Sequence, residues 1–158
     1  MDIDQARRLM HQAIDLAKSS GEDLPIGCLI VSPGQQLHEP VEIVSFACNE
    51  KEKLQDPTAH AEIQAIRKAC QNRASWRLDA TYLITTLEPC AMCAEAIIQA
   101  RIEKIYFGAY DEKSGACGSA FNLFQKGRIY PLPEVIGGVE EKACSQILLD
   151  FFQQKRQT

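Results

Sequence analysis

No stretch of this 158-residue chain approaches the roughly 20 consecutive apolar residues that a membrane span requires. Its opening, Met1-Asp2-Ile3-Asp4, lacks the basic start and apolar run of a secretory signal, so a cytoplasmic protein without membrane contact is expected. A basic excess is also missing. Seventeen Lys and Arg stand against 21 Asp and Glu, for a net charge of −4, which argues against a large nucleic-acid footprint. It leaves room for a local one, on Lys126 and Arg128 or on Lys155 and Arg156. A disulfide framework is excluded in a similar way. The seven cysteines are odd in number, and Cys28, Cys48, Cys70, Cys117 and Cys144 are scattered through apolar, helical or Gly-bearing segments, as free thiols of a reducing compartment are. Histidine is scarce, with only His11, His38 and His60. There is no internal repeat, low-complexity tract or interdomain linker, so residues 1–158 are expected to form one domain, long enough to bury a core without staples.

What is present alternates in period. Apolar residues over 4–18 recur at helical spacing and stop at Ser19-Ser20-Gly21. Ile26 to Val31 and Val41 to Cys48 have strand composition. They are separated by Ser32-Pro33-Gly34 and a connection longer than most hairpin loops, which predicts an antiparallel hairpin. Asp56-Pro57-Thr58 predicts a helix start with Pro in the first turn and a helix over about 59–71. Thr81 to Thr86 has the composition of a central strand. Glu88-Pro89-Cys90 repeats the strand-into-Pro punctuation before a helix that runs to about Ala100. Lys104 to Gly108 predicts a further strand, Glu134 to Gly137 an edge strand, and 140–156 a closing helix with Ile147, Leu148, Phe151 and Phe152 on its apolar face. The order predicts an α/β fold, three layers α/β/α with a single mixed sheet of about five strands. The strands on either side of the Cys90 helix are expected to be parallel.

Two short motifs carry chemistry: His60-Ala61-Glu62 and Pro89-Cys90-Ala91-Met92-Cys93. One imidazole and two thiols are a nitrogen and sulfur donor set for Zn²⁺, and three protein ligands leave a fourth tetrahedral position open. Cysteines at a helix start sit at the positive end of the helix dipole, which favours the thiolate that a metal binds. Glu62 follows His60 by two, about 200° around a helix, so it is expected beside the metal as a proton carrier rather than on it as a ligand. A C-x-x-C alone also suits a structural zinc half-site or a redox pair, and a His-Ala-Glu alone suits ordinary helix surface. No thioredoxin-like context surrounds the cysteines, and neither His11 nor His38 has the spacing of a fourth ligand.

The H-x-E…P-C-x-x-C pattern is the signature of zinc-dependent nucleobase deaminases. Through Asp56-Pro57-Thr58-Ala59-His60-Ala61-Glu62-Ile63 and Thr86-Leu87-Glu88-Pro89-Cys90-Ala91-Met92-Cys93-Ala94, the chain resembles the bacterial tRNA-specific adenosine deaminases of the cytidine deaminase-like superfamily. The likeness extends from Leu24-Pro25-Ile26-Gly27 to Asp150-Phe151-Phe152. It implies a homodimer that holds one Zn²⁺ per subunit on His60, Cys90 and Cys93 and acts on the tRNA anticodon arm, converting the wobble adenosine to inosine. It implies that Glu62 carries protons from water to ring N1 and to the departing amine, and that Asn49 holds the base. Asp111 matches a residue near the target ribose, with Lys113 beside it at the backbone. Phe152, Lys155 and Arg156 lie in the segment that meets the anticodon loop. The chain departs from the pattern in its longer first hairpin, in Ser45-Phe46-Ala47-Cys48 and in Tyr110.

The residues themselves leave other readings open. Asn49 and Asp111 are also ordinary turn formers, Phe151 and Phe152 ordinary core, Lys155-Arg156 a solvated tail, and Glu88 a buried support. A deaminase of free bases or nucleosides, of guanine or cytosine type, needs no basic surface and would use the same zinc core. A non-catalytic zinc module that binds RNA or a protein would not need Glu62.

Overall fold

The computed structural model describes residues 1–157. The chain runs α1 (Ile3–Ala17), β1 (Gly27–Ser32), β2 (Glu42–Cys48), α2 (Lys51–Leu54), α3 (Ala61–Arg73), β3 (Tyr82–Leu87), α4 (Ala91–Gln99), β4 (Lys104–Ala109), β5 (Glu134–Ile136) and α5 (Glu141–Gln157). A 3₁₀ turn over Lys18–Ser20 ends α1. The helix starts on a reciprocal cap: Gln5 N donates to Asp2 Oδ1 at 2.8 Å, and Asp2 N donates to Gln5 Oε1 at 3.0 Å.

The five strands form one mixed sheet in the order β2-β1-β3-β4-β5. β1 pairs antiparallel with β2 and β3, while β3, β4 and β5 are mutually parallel where they pair. The expected hairpin is present, with residues 33–41 as its connection. Its register slips between Ile30 and Val31, which face Ser45 and Ile43, so Val44 is the extra residue of a bulge. The α/β/α layering follows from alternation along the strands. On one face Ile30, Leu83, Ile105 and Phe107 pack with Ala61, Ala65 and Ala69 of α3 and Ile97 of α4. On the other, Leu29, Val31, Ile84 and Tyr106 pack with Met10, Ala13 and Ile14 of α1 and Cys144 of α5.

The structure corrects one helix start. Helix α3 begins at Ala61 rather than near 59, and Pro57 lies in the turn before it, not in its first turn. Asp56 holds that turn instead, accepting from Thr58 N at 2.8 Å and Thr58 Oγ1 at 2.7 Å. The short helix α2 carries no sequence signal of its own. Between β4 and β5, residues 110–133 form turns with two isolated bridges, Cys90 to Gly115 and Cys117 to Asn122.

Helix α1 approaches the sheet where β1 starts at glycine. A Cβ on Gly27 would stand 2.0 Å from Ala13 O and 2.9 Å from Ala17 N, both backbone atoms that cannot move alone. Gly27→Ala is therefore expected to push α1 off the sheet and destabilise the domain by about 1–3 kcal/mol. A urea titration would show this as a lower midpoint at unchanged slope; a midpoint equal to that of the parent would contradict the packing described.

Candidate active site

Strand β3 and helix α3 bring the two motifs together from opposite directions. His60 and Cys90 are the residues that start α3 and α4, and neither uses its side chain to cap its own helix. Both side chains turn to the gap between the helix starts. His60 Nδ1 lies 3.6 Å from Cys90 Sγ and 3.5 Å from Cys93 Sγ. All three donor atoms lie within 4.8 Å of one another. A tetrahedral zinc with Zn–S of about 2.3 Å and Zn–N of about 2.0–2.1 Å requires N···S separations of about 3.6 Å, so the donors stand at the spacing the ion needs. Among the described residues this is the one His, Cys, Asp and Glu grouping that could hold a metal. The set fits one zinc ion, with a corner left open.

The electrostatics agree. The Cys90 thiol is pulled down to about 4, first by a hydrogen bond from Cys93 and next by one from His60, while burial opposes the shift. Cys93, donating to Cys90 and itself buried, is pushed up. His60 is raised, first by its bond with Cys90. A dication held here would be bound by two thiolates and a neutral ring, with release of the Cys93 thiol proton and of the proton on the Cys90–His60 pair.

Glu62, in the first turn of α3, is only 4% exposed. Its Oε2 lies 3.6 Å from Cys93 Sγ, on the metal side, and its Oε1 accepts from Thr85 Oγ1 at 3.1 Å. Burial raises its pKa above the ordinary carboxylate value. A buried carboxyl beside the open corner is placed to carry a proton.

These groups open into a cavity of about 740 Å³, the size of a small-molecule site. Asn49, Asp111, Phe152 and Lys155 line it; Lys113 and Arg156 are exposed and lie off its wall. Asn49 is buried at the end of β2, where its Oδ1 accepts from Lys51 N at 3.4 Å. Asp111 lines the cavity and also holds its own turn, accepting from the backbone N–H groups of Lys113 and Ser114 at 3.1 Å each. Phe152 is 49% exposed and meets Phe151 edge to face, so the last turns of α5 leave the core and form a wall. Lys155 Nζ is 2.9 Å from Glu22 Oε2 across the mouth. Arg128 is engaged by Glu95 at 2.6 and 2.8 Å.

Glu88 is the buried support. Its Oε1 accepts from Asp111 N and Ser119 Oγ, and its Oε2 from Cys117 N and Ser119 N. Sequence reasoning missed the opposite wall. Asp23, 2% exposed, accepts from Glu52 N at 2.7 Å and Lys53 N at 3.1 Å and so fixes α2, which brings Lys51 and Glu52 to the cavity. A cap supplied from 29 residues upstream leaves no local signal.

Residues 3–109 match the profile of the family described as "Cytidine and deoxycytidylate deaminase zinc-binding region", and the chain belongs to that family of zinc-dependent deaminases. Curated relatives narrow it. The chain is 41% identical over 149 residues to the tRNA-specific adenosine deaminase of Bacillus subtilis, covering 93% of this chain and 88% of the relative. It is 40% identical over 149 residues to that of Agrobacterium fabrum, covering 93% of each. It is a member of the tRNA-specific adenosine deaminases. A solved structure from a study of A-to-I editing by tRNA:A34 deaminases superposes with a TM-score of 0.80 at 38% identity, covering 89% of this chain and 99% of that one. A guanine deaminase from Nitrosomonas europaea shares the fold, with a TM-score of 0.74 at 18% identity over 92% of this chain and 83% of that one.

Two measurements test this geometry. Cys93→Ala is expected to leave a small fraction of the one zinc per chain that the parent binds, read by elemental analysis after dialysis; full occupancy would remove Cys93 from the site. Asp23→Ala is expected to speed hydrogen exchange at the Glu52 and Lys53 amides by about fivefold, the loss of a cap worth roughly 1 kcal/mol, with zinc content unchanged. Equal protection in that variant would mean α2 is held by something else.

Proposed function

We propose that this chain hydrolyses the wobble adenosine of a tRNA anticodon to inosine, with His60, Cys90 and Cys93 as the zinc ligands and Glu62 as the proton carrier. The observation that carries the reading is the three-donor set at tetrahedral spacing with a buried carboxylate oxygen 3.6 Å from one donor. When bound, zinc supplies Lewis acidity and brings the pKa of water in its open position from 15.7 toward about 7. Glu62 Oε2 takes a proton from the attacking water and passes it to ring N1 as oxygen bonds to C6. The remaining hydroxyl proton follows the same route to the amine, the C6–N bond breaks, and ammonia leaves behind a C6 carbonyl. Such transfers are worth about 10²–10⁴ in rate.

Asn49, fixed at the end of β2, holds the base, and Asp111 meets the ribose. Phe152 offers a stacking face and Lys155 a cation at the mouth, while Lys113 and Arg156, off the wall, meet the RNA backbone. Because the cavity rim carries Glu22, Asp23 and Glu52, only a few cations are available to neutralise phosphate, so the salt dependence of binding is modest for an RNA enzyme. The reading includes a cytoplasmic homodimer, for which Phe121 and Ile129, exposed on the segment after Asp111, supply apolar surface.

The test incubates zinc-loaded protein with an anticodon stem-loop bearing a wobble adenosine and, separately, with adenine, guanine, cytosine and cytidine. Inosine from the stem-loop alone is the expected result. Ammonia from a free base or nucleoside alone would overturn it and assign a small-molecule deaminase. In the same assay Glu62→Ala is expected to keep its zinc and lose at least about 10²-fold in kcat; a rate equal to that of the parent would take Glu62 out of the mechanism.

A further inference from the structure

The central strand β3 carries a hydroxyl where its surroundings call for a hydrocarbon. Thr85 is fully buried. Its partners across the sheet are Cys28 on β1 and Phe107 on β4, both members of the apolar cluster beneath α3 and α4. A side-chain hydroxyl placed among such neighbours is costly to bury unless it finds a hydrogen-bond partner. Its partner is the carboxylate of Glu62, with Thr85 Oγ1 donating to Oε1 at 3.1 Å.

This bond distinguishes the two carboxylate oxygens, beside a backbone hydrogen bond at Glu62 itself and the contact of Oε2 with Cys93. Oε1 is held on the sheet side, while Oε2 faces Cys93 Sγ at 3.6 Å, on the side of the metal donors. The carboxylate hangs from the first turn of α3 on a flexible side chain, and its terminal torsion is broad and roughly two-fold. Without the hydroxyl, Oε1 would be buried without that donor and the group would turn to seek another. Thr85 and Glu62 are 23 residues apart, and the backbone of each is fixed independently, one by strand pairing on both sides and the other by its helix. A strand and a helix start that both belong to the rigid core thus aim one oxygen.

We infer that Thr85 is a positioning residue for the deamination, orienting the Glu62 carboxylate so that Oε2 faces the attacking water and the leaving amine. It acts through Glu62 and touches no reacting atom. The inference rests on the proton-carrier reading of Glu62 given above. Groups that orient the reactive residues of a metal site are typically worth about 10–100-fold when removed.

The test compares Thr85→Val, which keeps the branched shape and deletes the hydroxyl, with Thr85→Ser, which keeps the hydroxyl. Each is zinc-loaded and assayed on the anticodon stem-loop beside the parent protein. Thr85→Val is expected to lose about 10–100-fold in kcat, with KM and zinc content unchanged, and Thr85→Ser to recover most of that loss. A Thr85→Val variant as fast as the parent would overturn the inference, as would equal losses in both variants or a change confined to KM. Crystals of zinc-loaded Thr85→Val provide a readout free of turnover: the Glu62 carboxylate is expected to have rotated about its terminal torsion, and an unmoved carboxylate would overturn the inference even if the parent proved to act on another substrate. A parent protein inactive on the stem-loop would count against the proposed substrate instead.

Discussion

The structure depends on the meeting of two helix starts over the carboxyl ends of parallel strands. Helix α4 begins just past the end of β3, α3 begins beside it, and each starts on a residue whose side chain points at the other helix. The positive ends of two helix dipoles are thereby aimed at one point, which suits the thiolates that a metal ion would require there. A helix start normally gives its first side chain to its own unsatisfied N–H groups. Here both helices forgo that cap, and a dication that gathers the freed side chains compensates for it.

That arrangement explains the division of labour between the two sheet faces. The face covered by α1 and α5 is apolar packing, with Met10, Ala13 and Ile14 against Leu29, Val31 and Ile84. The face covered by α3 and α4 is apolar at depth and reactive at one end, with Glu62 and Thr85 as its buried polar pair. Chemistry and stability share a core, but they meet only along β3.

Most of this was legible in the sequence because the determinants are local. Periods of 2 and 3.6 fixed the strands and the long helices, and the metal donors lie within two stretches of three and five residues. What was not legible is what depends on distant partners. Helix α2 is capped by Asp23, far upstream, and has no start signal of its own. Helix α3 starts about two residues later than the Pro57 signal suggests, because Asp56 satisfies in a turn the N–H donors that it would satisfy at a helix end. Phe152 follows the helical period of the core-facing residues, yet the sheet ends before α5 does, so the aromatic faces the cavity. The expected offset of Glu62 from His60 assumed a helix through both, whereas His60 has extended backbone ahead of α3, and the partner Thr85 could not be paired with Glu62 from strand composition alone.

The four hydrogen bonds that converge on Glu88 have a consequence for how this fold can vary. The segment from Asp111 to Ser119 has almost no regular secondary structure, yet one carboxylate next to Pro89 and Cys90 ties down its backbone at three points and a hydroxyl besides. The stretch that follows, to the start of β5, is tied down separately, by Phe124 against the core and by Arg128 on Glu95 of α4. The wall that carries Asp111 and Ser114 is thus held from a residue two positions before Cys90, so a change at Glu88 would loosen that wall and the start of α4 together.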